Sequence, residues 1–113
     1  MLTFFTIPKA FSGHIGVIQR NAIKSWTLLE PSCEVILVGD DEGTDKAAKD
    51  LGVRHIPNVK RNEFGTPLLD SAYELAEEGA SHPLLCYINA DMILTSSFMD
   101  AVQLVTEKTD WFL

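Results

Sequence analysis

Leu84-Leu85-Cys86-Tyr87-Ile88-Asn89-Ala90-Asp91-Met92-Ile93-Leu94 opens as a continuous apolar run, bounded on its left by His82-Pro83. The run is too short for a membrane span. An unbroken apolar segment of this length predicts a strand buried on both faces, as in parallel sheets. Asn89 and Asp91 interrupt it before Met92-Ile93-Leu94 resumes it. A carboxylate between two apolar segments is costly to desolvate unless something pairs with it. Asp91 therefore either caps a helix expected near Ser96 or closes a turn, or it stands at the carboxyl end of a central strand. Open α/β sheets bind their ligands at that end. There Asp91 could hold a divalent cation bridging to phosphate oxygens. Magnesium suits such a site, because it takes one or two carboxylates together with phosphates and water.

Outward from this stretch, strands and helices alternate. Residues 2–7 form an apolar, β-rich segment ended by Pro8. Ile15, Ile18, Ala22, Trp26 and Leu29 recur at helical spacing and predict a helix over about 15–29, stopped by Pro31. Residues 34–38 make a second strand that empties into Gly39-Asp40-Asp41-Glu42-Gly43. Thr44 or Asp45 is expected to cap a short helix ending at Leu51-Gly52. Residues 53–56 form a third strand. Thr66 is expected as an N-cap with Pro67 at the first helical position. The buried stripe of that helix would be Leu68, Leu69, Ala72, Leu75 and Ala76, with Gly79 at its end. After the opening stretch a further helix is expected over 97–107, and Asp110-Trp111-Phe112-Leu113 reads as the start of a fifth strand. The alternation predicts an α/β fold: a doubly wound, mostly parallel sheet of four to five strands with helices on both faces. Right-handed crossovers then gather Pro8-Lys9, Asp40-Asp41 and Asn89-Asp91 on one edge.

With 113 residues the chain is one domain. Its formal net charge of −7 argues against nucleic acid or an anionic membrane as a broad partner. No stretch reaches transmembrane length, and the N-terminus lacks a basic start and a small-residue cleavage site. A cytoplasmic location is the expectation. Cys33 and Cys86 form no CxxC pair, and Cys86 is expected to act as a small buried hydrophobe.

The first strand is followed by neither a dinucleotide-binding G-x-G-x-x-G nor a P-loop, and no serine sits in a G-x-S-x-G elbow. His14, His55 and His82 lack metal-ligand spacing and are expected as surface or hydrogen-bonded histidines. Asp40-Asp41 leaves a buried strand directly. It is either a solvated helix-capping turn or a pair of carboxylates able to accept a uracil N–H or a ribose hydroxyl. Lys60-Arg61 is the only adjacent basic pair, and serves as exposed loop charge or as a phosphate contact.

Together these clusters resemble the nucleotide-sugar glycosyltransferases of the GT-A fold, family 2-like members in particular. Thr6-Ile7-Pro8-Lys9 is similar to that family's Pro-containing loop over the nucleotide. Asp40-Asp41-Glu42-Gly43-Thr44-Asp45 is similar to its Asp-Asp-Gly-Ser-type turn, with Glu42 inserted before the glycine. Arg61-Asn62-Glu63-Phe64-Gly65 is similar to its Arg-Asn-x-Gly loop, one residue longer. Asn89-Ala90-Asp91 stands where the family has Asp-x-Asp, with Asn89 in place of the first acid. The resemblance implies a nucleotide-diphosphate sugar, as a UDP-sugar, bound by Pro8, Lys9, Asp40, Asp41, Arg61, Asn62 and Asn89. It implies Mg²⁺ or Mn²⁺ on Asp91 and transfer of the sugar to an acceptor hydroxyl.

The resemblance covers the donor-binding half of such an enzyme. The acceptor half, with the catalytic base of inverting members, is expected to lie beyond Leu113. A fragment, or a chain completed by a partner or by self-association into a homo-oligomer, follows as an expectation. Three alternatives come from other classes. One is a non-catalytic nucleotide-binding or assembly module with the same fold. A phosphoacceptor signalling domain would need acidic residues where Pro8-Lys9 and Pro57-Asn58 stand. A sugar nucleotidyltransferase would need a Gly-rich basic loop where Lys9-Ala10-Phe11-Ser12-Gly13 stands.

Overall fold

The computed structural model describes residues 2–29, 33–80, 84–92 and 94. The helix expected over 97–107 with its cap near Ser96, the strand start at 110–113, and the expected stops at Pro31 and Pro83 lie outside the described residues. Within them, four strands alternate with three helices: β1 (Leu2–Thr6), α1 (Gly13–Thr27), β2 (Glu34–Val38), α2 (Thr44–Leu51), β3 (Arg54–Ile56), α3 (Leu69–Gly79) and β4 (Leu84–Tyr87). The strands form one parallel sheet in the order β3-β2-β1-β4. The α/β class and the parallel sheet agree with the sequence pattern.

Register and pleat then sort the core. Phe4 lies between Val35 and Cys86, and Phe5 between Ile36 and Tyr87. Successive side chains of a strand point to opposite faces. Phe4, Val35 and Leu37 accordingly pack with Ala22, Ile23 and Trp26 of α1 and Ala48 of α2. Phe5, Ile36 and Val38 pack with Ala72 and Ala76 of α3. The division follows from crossover handedness. From β1 through β3 the chain steps one way across the sheet. To reach β4 it steps back past β1, and a crossover of the same hand puts its helix on the opposite face. The strand order therefore reverses between β1 and β4, which opens a crevice at their carboxyl ends.

Burial differs between residues of one apolar pattern, in β4 and in α1. Among the described residues β4 pairs with β1 alone. Leu85 and Cys86 are half-buried, and Tyr87 is 39% exposed. An apolar run reports that a strand is sheltered, but its place in the sheet is set by the crossovers. In α1, Ala22 and Trp26 of the expected stripe are buried, and Leu29 beyond the helix is buried too, while Ile15 and Ile18 remain 47% and 36% exposed. Gly16, Gln19 and Ile23 are buried alongside Ala22 and Trp26. The first turns of α1 stand at the carboxyl edge of the sheet, where Ile15 and Ile18 line a cavity instead of the core.

The helix starts also differ. The α3 cap position is Leu68, and Pro67 lies outside the helix in an antiparallel bridge with Arg61. Thr66 gives its backbone N–H to Asn62 Oδ1 (3.0 Å), so it belongs to the preceding loop. In α2, Thr44 is the first helical residue and makes no side-chain cap; its hydroxyl is buried without a partner among the described residues. Gly43 holds the cap position with φ +82°, and a Cβ there would stand 2.9 Å from Phe11 Cβ. Gly43→Ala therefore combines left-handed backbone strain with displacement of Phe11, at about 2 kcal/mol in all. Gly52 is the control: it has φ +70°, and a Cβ added there would meet nothing within 4 Å. Gly52→Ala should cost about 1 kcal/mol. Urea melts of the two variants check the difference; equal losses would mean that Phe11 does not constrain position 43.

Candidate functional site

The loop after β1 is held at several points. Lys9 donates its backbone N–H to Gln19 Oε1 (2.7 Å), and Gln19 Nε2 donates to the Lys9 carbonyl (2.8 Å). Phe11 N–H donates to the Glu42 carbonyl (2.7 Å), tying this loop to the one after β2. The α1 backbone approaches closely enough that a Cβ on Gly16 would lie 2.9 Å from the Phe11 carbonyl carbon. Pro8 is buried under this arrangement and Lys9 is exposed.

A cavity of about 360 Å³ lies in the crevice where the strand order reverses, lined by Ile7, Lys9, Ile15, Ile18, Gln19, Tyr87, Asn89, Ala90 and Asp91. Its wall is apolar through Ile7, Ile15 and Ile18, while Lys9, Asn89 and Asp91 supply polar groups. Residues 89–92 form a turn in which Met92 N–H donates to the Asn89 carbonyl (3.1 Å). That turn is fastened to α1: Trp26 Nε1–H donates to the Met92 carbonyl (2.7 Å), and Leu94 N–H donates to Ser25 Oγ (3.0 Å). Lys9, Asn89 and Asp91, nominated from opposite ends of the sequence, thus share one cavity. Among the described residues no group of three or more His, Cys, Asp or Glu side chains could hold a metal ion. A cation at Asp91 would need most of its oxygens from its ligand and from water.

The acidic turn forms a separate place. A second cavity of about 500 Å³ is lined by Asp40, Asp41, Glu42, Gly43, Asp45, His55 and Pro57. Arg61, expected as loose loop charge or a phosphate contact, instead bridges both aspartates. Its Nη2 donates to Asp40 Oδ1 (2.8 Å) and Asp41 Oδ1 (2.9 Å), and its Nη1 to the Gly65 carbonyl (2.9 Å). Partial burial acts to lower the Arg61 pKa, but hydrogen bonding to Asp41 and Asp40 outweighs it and the pKa is raised. Asn62 spends its side chain on its own loop, where Oδ1 accepts the N–H groups of Phe64 (2.9 Å) and Thr66 (3.0 Å). Arg61 and Asn62 are therefore not brought to the crevice between β1 and β4. Lys60 is exposed, and its backbone N–H donates to Ser71 Oγ (3.0 Å).

His55 is hydrogen-bonded through Nε2 to the Gly39 carbonyl (2.6 Å) and His14 is exposed, as expected; His82 lies outside the described residues. Burial raises the pKa of the Cys86 thiol, and also that of Cys33, so both favour the neutral form and make weak nucleophiles. Cys86 is half-buried against the core beside Phe4, close to the expected role.

Helical periodicity did not nominate Gln19, Tyr87 or the cavity-facing role of Ile15 and Ile18. A signal for Gln19 was present, since a lone amide falls on the arc Gly16, Gln19, Ala22, Ile23 and Trp26. No protein-family model matches the chain, and no match is found among curated proteins. Among the described residues no helix is long and apolar enough to cross a membrane.

Proposed function

We propose that this chain binds a nucleotide-diphosphate sugar in the crevice between the carboxyl ends of β1 and β4, on a doubly wound sheet of the nucleotide-diphospho-sugar transferase type. The bound sugar would be passed to an acceptor hydroxyl. One observation supports this above the others: the cavity at the strand-order reversal, with Lys9 on one loop and Asn89 and Asp91 on the other. The apolar side, Ile7, Ile15 and Ile18, suits the nucleoside, and the Lys9 ammonium suits the diphosphate. The donor set offered to a cation is one carboxylate and one amide oxygen, which fits a hard ion such as Mg²⁺ or Mn²⁺ completed by phosphate oxygens. Such an ion would supply neutralisation of the departing diphosphate. Asp40 and Asp41, paired with Arg61 at the second cavity, do not line this crevice, so the base is assigned to its apolar side.

Calorimetric titration with UDP tests the proposal. UDP should bind in Mn²⁺ and bind more weakly with chelator; absence of binding in both would end it. A second reading has its own support. Asp91 is the only carboxylate lining the cavity among the described residues. If Asp91 holds the ion, no second acid of the cavity is left to take the acceptor's proton. That favours a non-catalytic nucleotide-binding module of the same fold. Acceptor-dependent UDP release from a panel of UDP-sugars would decide for the enzyme.

A further inference from the structure

We infer that Gln19 is the positioning residue of this cavity: by gripping both backbone groups of Lys9 it holds the Lys9 ammonium where a phosphate-bearing ligand enters. The inference rests on the proposed binding of a nucleoside diphosphate in the β1–β4 crevice. Gln19 is 3% exposed. An amide so buried is costly unless both its ends are satisfied. Here they are, by the N–H and the carbonyl of a single residue, at 2.7 and 2.8 Å. This pairing also settles which end of the amide carries oxygen, since the Lys9 N–H requires an acceptor and its carbonyl a donor.

Packing alone does not call for glutamine. The rest of the buried arc of α1 is Gly16, Ala22, Ile23 and Trp26, and an unbranched apolar side chain would fill the same volume. What the amide adds is directional control over one loop residue. It also consumes the Lys9 backbone donor. The ligand cannot be held by that N–H, so recognition at Lys9 falls to the exposed ammonium. Across the cavity Asn89 and Asp91 complete the polar side. Lys9 supplies a positive charge to an anionic ligand, and Asp91 would hold the cation that accompanies it.

The test is a double-mutant cycle on UDP affinity, with wild type, Gln19→Met, Lys9→Met and the double variant titrated in Mn²⁺. If Gln19 acts through Lys9, Gln19→Met weakens binding about tenfold alone and adds nothing once Lys9 is Met. A merely structural role would cost the same factor in both backgrounds, and that result would overturn the inference, as would wild-type affinity in Gln19→Met. Should Gln19→Met fail to fold, Gln19→Glu repeats the cycle: it keeps the shape and the bond from the Lys9 N–H while repelling the Lys9 carbonyl. Failure of the wild type to bind UDP would remove the functional proposal, and the inference with it. Binding by the wild type with additive losses would remove the inference alone.

Discussion

Trp26→Ala should lower the unfolding free energy by about 3–5 kcal/mol, the usual range for deleting a large buried aromatic. Trp26 is fully buried and heads the largest core side chains. Its ring meets Phe4 at a centroid distance of 5.9 Å and lies in the cluster that joins α1 to β1 and β2. Truncation leaves a cavity there and strips the Met92 carbonyl of its indole donor. Domains of this size have about 5–15 kcal/mol of total stability, so the substitution removes roughly a fifth of it at the least and all of it at the most. Trp26→Phe separates the two contributions. It keeps most of the apolar contact and loses the hydrogen bond, at about 1–2 kcal/mol. It should also weaken UDP binding, because the 89–92 turn loses one of its two ties to α1. Urea denaturation checks the first number. A loss below about 1 kcal/mol in Trp26→Ala would show that α1 is not anchored by this residue.

The second large effect concerns Asp91. Asp91→Ala should leave stability nearly unchanged, because the side chain is exposed in the turn after β4. UDP affinity measured in Mn²⁺ should fall about 100-fold, on the order of 3 kcal/mol, and become insensitive to chelator. The cavity offers a cation one carboxylate among the described residues, so its removal leaves the amide of Asn89 as the remaining polar oxygen side chain on that turn. Asn89→Asp makes the opposite change. A second carboxylate should tighten the manganese-dependent component, since ligand charge raises affinity for hard cations. Manganese-dependent binding that survives intact in Asp91→Ala would place the ion elsewhere.

Much of this was legible along the chain. Strands β1 and β2 are apolar runs, β4 opens one, and the helices between the strands carry 3.6-residue patterns; their alternation is enough to specify a parallel α/β sheet. Because parallel strands end on one edge, Lys9, Asp40, Asn89 and Asp91 could be assigned to that edge from sequence position alone. What periodicity reports is burial averaged along an element. It does not say where a helix stands past the sheet it covers, and Ile15 and Ile18, on the same repeat as Ala22 and Trp26, line a cavity instead of the core. Neither does it say which loops meet. Arg61 reaches Asp40 across 21 residues of chain, and Trp26 reaches the Met92 carbonyl across 66.

The sequence by itself determined the described strands and helices to within a few residues, their class, and the sheet edge on which Lys9, Asp40, Asn89 and Asp91 fall. Only the tertiary structure decided that Lys9 and Asp91 face one cavity while Asp40 and Asp41 are bound to Arg61 at another. It also decided that Gln19, a polar residue on a buried arc, turns its amide onto the Lys9 backbone. Such choices depend on the strand order and on hydrogen bonds between distant loops. These are properties of how elements are arranged in space, and a one-dimensional pattern of apolar and polar residues carries no term for them.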